Sequence, residues 1–247
     1  MADPASFAWP EGTRAALSLS FDDARASQLD RGMPILDAHG ARATFYVSIG
    51  PLRERLDAWR AAATRGHEIA NHSLSHPCSG NFPFARERPL EHYTLEQMER
   101  ELLDAGDAIE RLVGVRPATF AYPCGQTFVG RGEGTRSYVP LVARHFVVGR
   151  WAFNEIHNDP AFCDLAQATS LEADDKPFDH LKGLLDRAIA AGGWLILFGH
   201  EIGEGGHQTT IADALDALCS YALDPASGVW LDTVAAVGSH VAQARGE

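Results

Sequence analysis

A distorted α/β barrel of about seven strands is the fold this sequence predicts. Three observations carry it: β-rich apolar segments recur about seven times, helical patterns fall between most of them, and chemistry-bearing residues collect just after several of the apolar segments. Alternating strand and helix periods predict parallel strands covered by helices. So many units in 247 residues suit one closed or nearly closed (β/α) barrel better than an open doubly wound sheet. No GxGxxG opens a helix, so a dinucleotide fold is not expected.

The expected strands are Ala15–Phe21, Ala43–Val47, Glu68–Ala70, Ala118–Tyr122, Phe146–Trp151, Trp194–Phe198 and Val229–Leu231. Gln28–His39 reads as a helix stopped by Gly40, and Leu52–Arg65 as one stopped by Gly66. Thr94–Val113 opens with a Thr94/Gln97 capping box and ends at Gly114. Phe178, Leu181, Leu184, Leu185, Ala188 and Ile189 recur at helical spacing before Gly192 and Gly193 stop the segment. Ser79–His92, Gln126–Arg136 and Asn154–Lys176 break the rhythm, and their turn-rich, polar composition predicts loops on a binding face. With no internal repeat or linker, residues 1–247 read as a single catalytic domain with a core of about 14–241.

At 45% hydrophobic content the chain can bury one sizeable core. Its net charge is −12, with Lys and Arg scattered rather than striped, which excludes a nucleic-acid partner. No apolar run approaches the roughly 20 residues a bilayer needs, so no membrane span is expected. Met1-Ala2-Asp3-Pro4 lacks the basic and apolar regions of an export signal, so a cytoplasmic location is expected, or a periplasmic or secreted one if a leader has been removed. Cys78, Cys124, Cys163 and Cys219 form no CxxC pair, and reduced thiols are the simplest reading. Cys78 and Cys124 in particular read as small buried packing residues.

Three short stretches carry the chemistry. In Asn71-His72-Ser73-Leu74-Ser75-His76-Pro77, two imidazoles four residues apart are expected to point the same way from one helical turn and share a metal ion. Leu19-Ser20-Phe21-Asp22-Asp23 ends an apolar run with adjacent carboxylates, and Leu195-Ile196-Leu197-Phe198-Gly199-His200 ends another with a histidine. Asp22, Asp23, His72, His76, Tyr122-Pro123-Cys124-Gly125, Arg150 and His200 all follow or close expected strands. In a barrel such ends meet on one face, so the pattern predicts a metal-assisted hydrolase.

The same motifs resemble the polysaccharide deacetylase, or NodB-homology, family, carbohydrate esterase family four. Ser20-Phe21-Asp22-Asp23 matches its TFDD motif and His72-Ser73-Leu74-Ser75-His76 its H-[ST]-x-x-H motif, with Gly66–Asn71 and Pro77 also typical. The resemblance runs from about Arg14 to about Val241. It implies a divalent ion, Zn²⁺ first, on Asp23, His72 and His76, with Asp22 as the base and His200 as the general acid. It also implies a backbone N–H of Cys124 for the oxyanion, and Tyr122, Pro123 and Leu197 as substrate-contacting residues.

Two motifs depart from the family. Where it carries R-x-P-Y this chain has Ala121-Tyr122-Pro123-Cys124, and where it carries D-x-x-[DN]-W this chain has only Gly149-Arg150-Trp151. Strand order suggests that Arg150 supplies the missing positive charge beside Asp22. Phe82, Phe84 and Tyr93 are candidates to stack on a sugar ring, while Trp151, Trp194 and Trp230 read as core. The activity implied is removal of acetyl groups from N-acetylated, less readily O-acetylated, carbohydrate, with an acetylated sugar or oligosaccharide as partner. The alternatives are hydrolysis of small or cyclic amides on the same fold, and an inactive carbohydrate-binding protein. The sequence sets no oligomeric state.

Overall fold

In a computed structural model, residues 7–247 are described; the Met1–Pro4 start, read above for an export signal, lies outside them. Eight parallel strands form one curled sheet: β1 (Ala15–Asp22), β2 (Thr44–Val47), β3 (Glu68–Asn71), β4 (Thr119–Ala121), β5 (Val148–Arg150), β6 (Leu171–Glu172), β7 (Trp194–Gly199) and β8 (Val229–Leu231). Their order is β5-β4-β3-β2-β1-β7-β6, with β8 beside the first half of β1 and β2 beside its second half. The two outer edges are stitched at one residue, because Ala168 N donates to Gly149 O at 2.9 Å and Ala168 O accepts from Trp151 N at 2.8 Å. The predicted distorted barrel is therefore observed, closed by one bridge. Its sixth strand falls inside Asn154–Lys176, expected as loop, because two residues are too short to show a period.

Side chains alternate across a strand. On β1, Leu17, Leu19 and Phe21 face outward into the main core with Phe45 and Val47 of β2 and Leu195 and Leu197 of β7. The outer layer comprises α1 (Met33–His39), α2 (Ile49–Glu54), α3 (Leu56–Thr64), α4 (Leu95–Val113), α5 (Val139–His145), α6 (Phe178–Ala191) and α7 (Ala212–Leu223), while α8 (Val234–Arg245) sits across one end. The expected helix at Gln28–His39 opens with a π-helical turn at Gln28–Gly32, and that at Leu52–Arg65 breaks at Arg55 into α2 and α3. The capping box of α4 is present as expected, with Gln97 N donating to Thr94 Oγ1 and Thr94 N to Gln97 Oε1.

The inward faces form layers. At the amino-terminal end, Val234, Val237 and Val241 of α8 plug the barrel against Ala16, Val148, Trp194 and Ile196. Above them Glu68 is a largely enclosed hub, accepting from the Thr44 and Thr119 hydroxyls and from Ala235 N at the start of α8. Burial pushes its carboxyl above the usual range despite those donors. The next layer holds Asp22, Tyr46 and Ala70, in register across β1, β2 and β3, and the Ala121/Arg150 pair of β4 and β5. The same parity that fills the barrel thus delivers a carboxylate and a guanidinium to its carboxyl end.

Candidate active site

A cavity of about 610 Å³ opens above that layer, lined by Asp22, Asp23, His72, His76, Cys124 and His200 among others. Arg150 is fully buried under its floor, between the rings of Tyr46 and Phe198 at 4.9 and 5.1 Å. Its Nη2 donates to both oxygens of Asp22 at 2.7 Å. The guanidinium of β5 and the carboxylate of β1 are thus an ion pair across the barrel.

Strand alternation would send Asp23 away from Asp22, but its backbone is left-handed, at φ 73°, and it lines the same cavity. Its Oδ1 lies 3.8 Å from His72 Nε2 and 3.7 Å from His76 Nε2. Asp23, His72 and His76 form one of the two His/Cys/Asp/Glu groups among the described residues whose ligand atoms lie close enough to share an ion. Burial opposes the charge on Asp23, but His72, His76 and Arg25 carry its carboxyl down to about 2. Burial, reinforced by His72, brings the His76 imidazole down to about 4. An ionised carboxylate and a neutral imidazole are the protonation states that a divalent ion requires, so the donor set fits one. His72 Nδ1 donates to Ala121 O at 2.9 Å, which leaves Nε2 free for the ion.

The two histidines do not share a helical turn as expected. They sit on a loop in which Ser73 and His76 are left-handed. Asn71 Oδ1 accepts from Ser73 N at 2.7 Å, and Ser73 Oγ accepts from His76 N at 3.1 Å. Those short-range bonds compete with helix formation and curl the chain back instead. Glu101 of α4 holds the tip, accepting from Ser75 N and Ser75 Oγ.

His200, just past β7, donates from Nδ1 to Asp174 Oδ2 at 2.6 Å. Burial opposes a charge on its ring, yet that hydrogen bond and the fields of Asp22, Asp174 and Asp23 outweigh it and hold the pKa above the usual histidine value. Asp174 is a residue that sequence reasoning missed; its only signal was a second Asp-Asp pair after a short strand. It also accepts from Thr210 Oγ1, and it approaches His200 this closely because position 199 is glycine, where a Cβ would stand 2.7 Å from Asp174 Oδ1. Gln28, also missed, is fully buried and donates from Nε2 to Asp22 O and His200 O, tying the ends of β1 and β7 together.

Other expected residues are distributed differently. Tyr122 lines the cavity and donates to Ala166 O, whereas Pro123 is buried beneath it and is not among the lining residues. Leu197 faces outward into the core, and its neighbour Phe198 provides the wall, as strand parity dictates. Phe82 and Phe84 line the mouth, but Tyr93 turns away to Glu101. Trp194 is core as expected, while Trp151 is over a third exposed and donates to Gly125 O. Cys78 and Cys124, expected as reduced packing residues, are joined by a disulfide, because the loops after β3 and β4 bring their Cα atoms to 6.1 Å. Cys124 is left-handed at φ 54°.

All eight non-glycine residues with positive φ among those described belong to this region or adjoin it. Asp23, His76, Cys124, Phe153 and Gln208 line the cavity, Ala24 and Ser73 adjoin Asp23 and His72, and Asp175 follows Asp174.

The polysaccharide deacetylase family model matches residues 10–131, the stretch that carries Asp22, Asp23, His72, His76 and Cys124. Over this stretch the chain is similar to the polysaccharide deacetylase family. An uncharacterized protein of Bacillus subtilis, YlxY, is 31% identical over 97 residues, 39% of this chain. This chain spans about a quarter of that protein's length, 27%. Among solved structures, a Mycobacterium smegmatis protein assigned to the polysaccharide deacetylases superposes with a TM-score of 0.69 at 17% identity, covering 96% of this chain and 93% of that one. The peptidoglycan deacetylase PdaC of Bacillus subtilis gives 0.56 at 20%, covering 96% of both. At such identities the superpositions establish the fold alone, and the barrel of this chain is the one those structures share. No helix among the described residues is long and apolar enough to cross a membrane.

Proposed function

We propose that the protein is a metal-dependent deacetylase acting on N-acetylated carbohydrate, with Zn²⁺ as the ion. The Asp22–Arg150 ion pair beside the Asp23/His72/His76 group carries this reading. Both oxygens of Asp22 are engaged by Arg150, so Asp22 stands as a base next to the ion site rather than as a ligand of it. Asp23, His72 and His76 would hold the ion, which when bound supplies Lewis acidity to a substrate carbonyl and makes water more acidic. Asp22 accepts the proton of the attacking water, the Cys124 N–H donates to the developing oxyanion, and His200 protonates the departing amine.

Acetate release from chitooligosaccharides, poly-N-acetylglucosamine, peptidoglycan fragments and acetylxylan, after reconstitution with several divalent metals, tests the reading. Removal of the ion by chelation should abolish release and zinc should restore it. His200→Ala should slow amide turnover by on the order of 10²–10⁴-fold with metal content intact. It should slow an activated ester much less, since a phenolate-like group leaves without a proton; equal losses on both would assign His200 to positioning instead. Asp174→Asn removes the anion that supports the charged His200 ring. The basic limb of the pH–rate profile should therefore move to lower pH, and an unmoved limb would remove Asp174 from the acid's support.

One observation favours a second reading. Beyond the residues with assigned roles, the polar groups lining the cavity are Arg25, Ser48 and Gln208; the rest of the wall is apolar, with Phe82, Phe84, Phe153 and Phe198 prominent. That lining suits a compact, flat amide with few hydroxyls, and ring opening of cyclic amides measured beside acetate release distinguishes the two.

A further inference from the structure

His76 presents Nε2 to Asp23 and Nδ1 to the opposite side, where Nδ1 lies 3.6 Å from Cys78 Sγ. His76, Cys78 and Cys124 are the second group among the described residues whose ligand atoms cluster closely enough to share an ion. Tetrahedral zinc with sulfur at about 2.3 Å and nitrogen at about 2.0–2.1 Å has a sulfur–nitrogen edge of about 3.6 Å. The histidine–cysteine edge of such a site is already built, and only the sulfur–sulfur bond keeps the other edge from forming.

We propose that reducing the Cys78–Cys124 bridge creates a second metal site, of two thiolates and the His76 imidazole, specific for a soft divalent ion such as zinc or cobalt(II). A dithiol reductant supplies two electrons and two protons, the sulfur–sulfur bond breaks to give two thiols, and the reductant leaves as its own disulfide. Ion binding then releases the two thiol protons to solvent. Cys78 is fully buried and Cys124 partly so, and the loops on which they sit keep both sulfurs beside the ring.

The new site competes with the one proposed for catalysis. A neutral imidazole offers one lone pair and carries its proton on the other nitrogen, so His76 serves one ion or the other. Where a compartment keeps thiols reduced, the ion is drawn from the Asp23 side to the sulfur side. The competition rests on the assignment of His76 to the catalytic ion, whereas the existence of the thiolate site does not.

Cobalt(II) titration of the folded chain tests this, with free thiols counted in parallel. The oxidised protein should show no near-ultraviolet sulfur-to-cobalt charge-transfer band. After mild reduction two further thiols should be titratable, and the band should rise to saturation at one ion per chain. Cys124→Ser should weaken it, and His76→Ala should shift its visible spectrum. With a single equivalent of zinc, acetate release should fall severalfold upon reduction and return upon reoxidation, as the ion leaves the Asp23 side. Two further titratable thiols without a band overturn the proposal, as does a bridge that opens only when the protein unfolds. Acetate release by the oxidised protein reports on the deacetylase reading separately.

Discussion

Asp22→Asn should reduce turnover by on the order of 10²–10⁴-fold, the range of a lost general base, while leaving metal content unchanged. The amide keeps the shape of the carboxylate and one acceptor for Arg150, but it has no basic oxygen to take the proton of the attacking water. Its absence from the Asp23/His72/His76 group is why the ion should stay. His72→Ala provides the contrast, since it removes a proposed ligand and should lose most of the bound metal as well as activity. Metal analysis of both purified variants beside their kinetics checks the assignment; equal metal loss in the two would overturn it.

Arg150→Met should have the largest combined effect. The guanidinium is fully buried and Asp22 only 5% exposed, so removing the positive partner leaves a carboxylate in a site built for an ion pair. Breaking such a pair costs about 3–5 kcal/mol, enough to lower the melting temperature by about 10 °C in a domain of this size. The acidic limb of the pH–rate profile should therefore move to higher pH, and turnover near neutrality should fall with metal content retained. Arg150→Lys keeps the charge and should recover part of both properties, less the planar stacking between Tyr46 and Phe198. A variant with an unmoved acidic limb would show that Arg150 supports the barrel without tuning the base.

Much of this arrangement was legible because it rests on period and parity. Asp22, Asp23, His72, His76, Arg150 and His200 all follow or close strands visible as apolar runs, and their convergence needs only that the strands be parallel and the sheet curled. The arginine missing at position 121, taken with strand order, pointed to Arg150 opposite Asp22. Three features were not legible, each for a local reason. The strand that positions Asp174 is two residues long and has no period to detect. The histidine loop has helical spacing, but the Asn71 and Ser73 side chains satisfy backbone donors that a helix would have used. The Cys78–Cys124 pair is 46 residues apart, and no spacing announces a bond between two loops that only the folded sheet brings together.

The crowding of left-handed residues around the cavity has a practical consequence for heat tolerance. Each such residue costs on the order of 1–2 kcal/mol against an ordinary backbone conformation, and here those costs fall on connecting segments rather than on the strands beneath. Segments that carry such a load open at lower free energy than the element they decorate. Warming should therefore silence the protein before it melts, with catalytic half-life shortening at temperatures where the circular dichroism of the sheet is still unchanged. Stored samples would then pass every test of folding while having lost the arrangement that makes them useful.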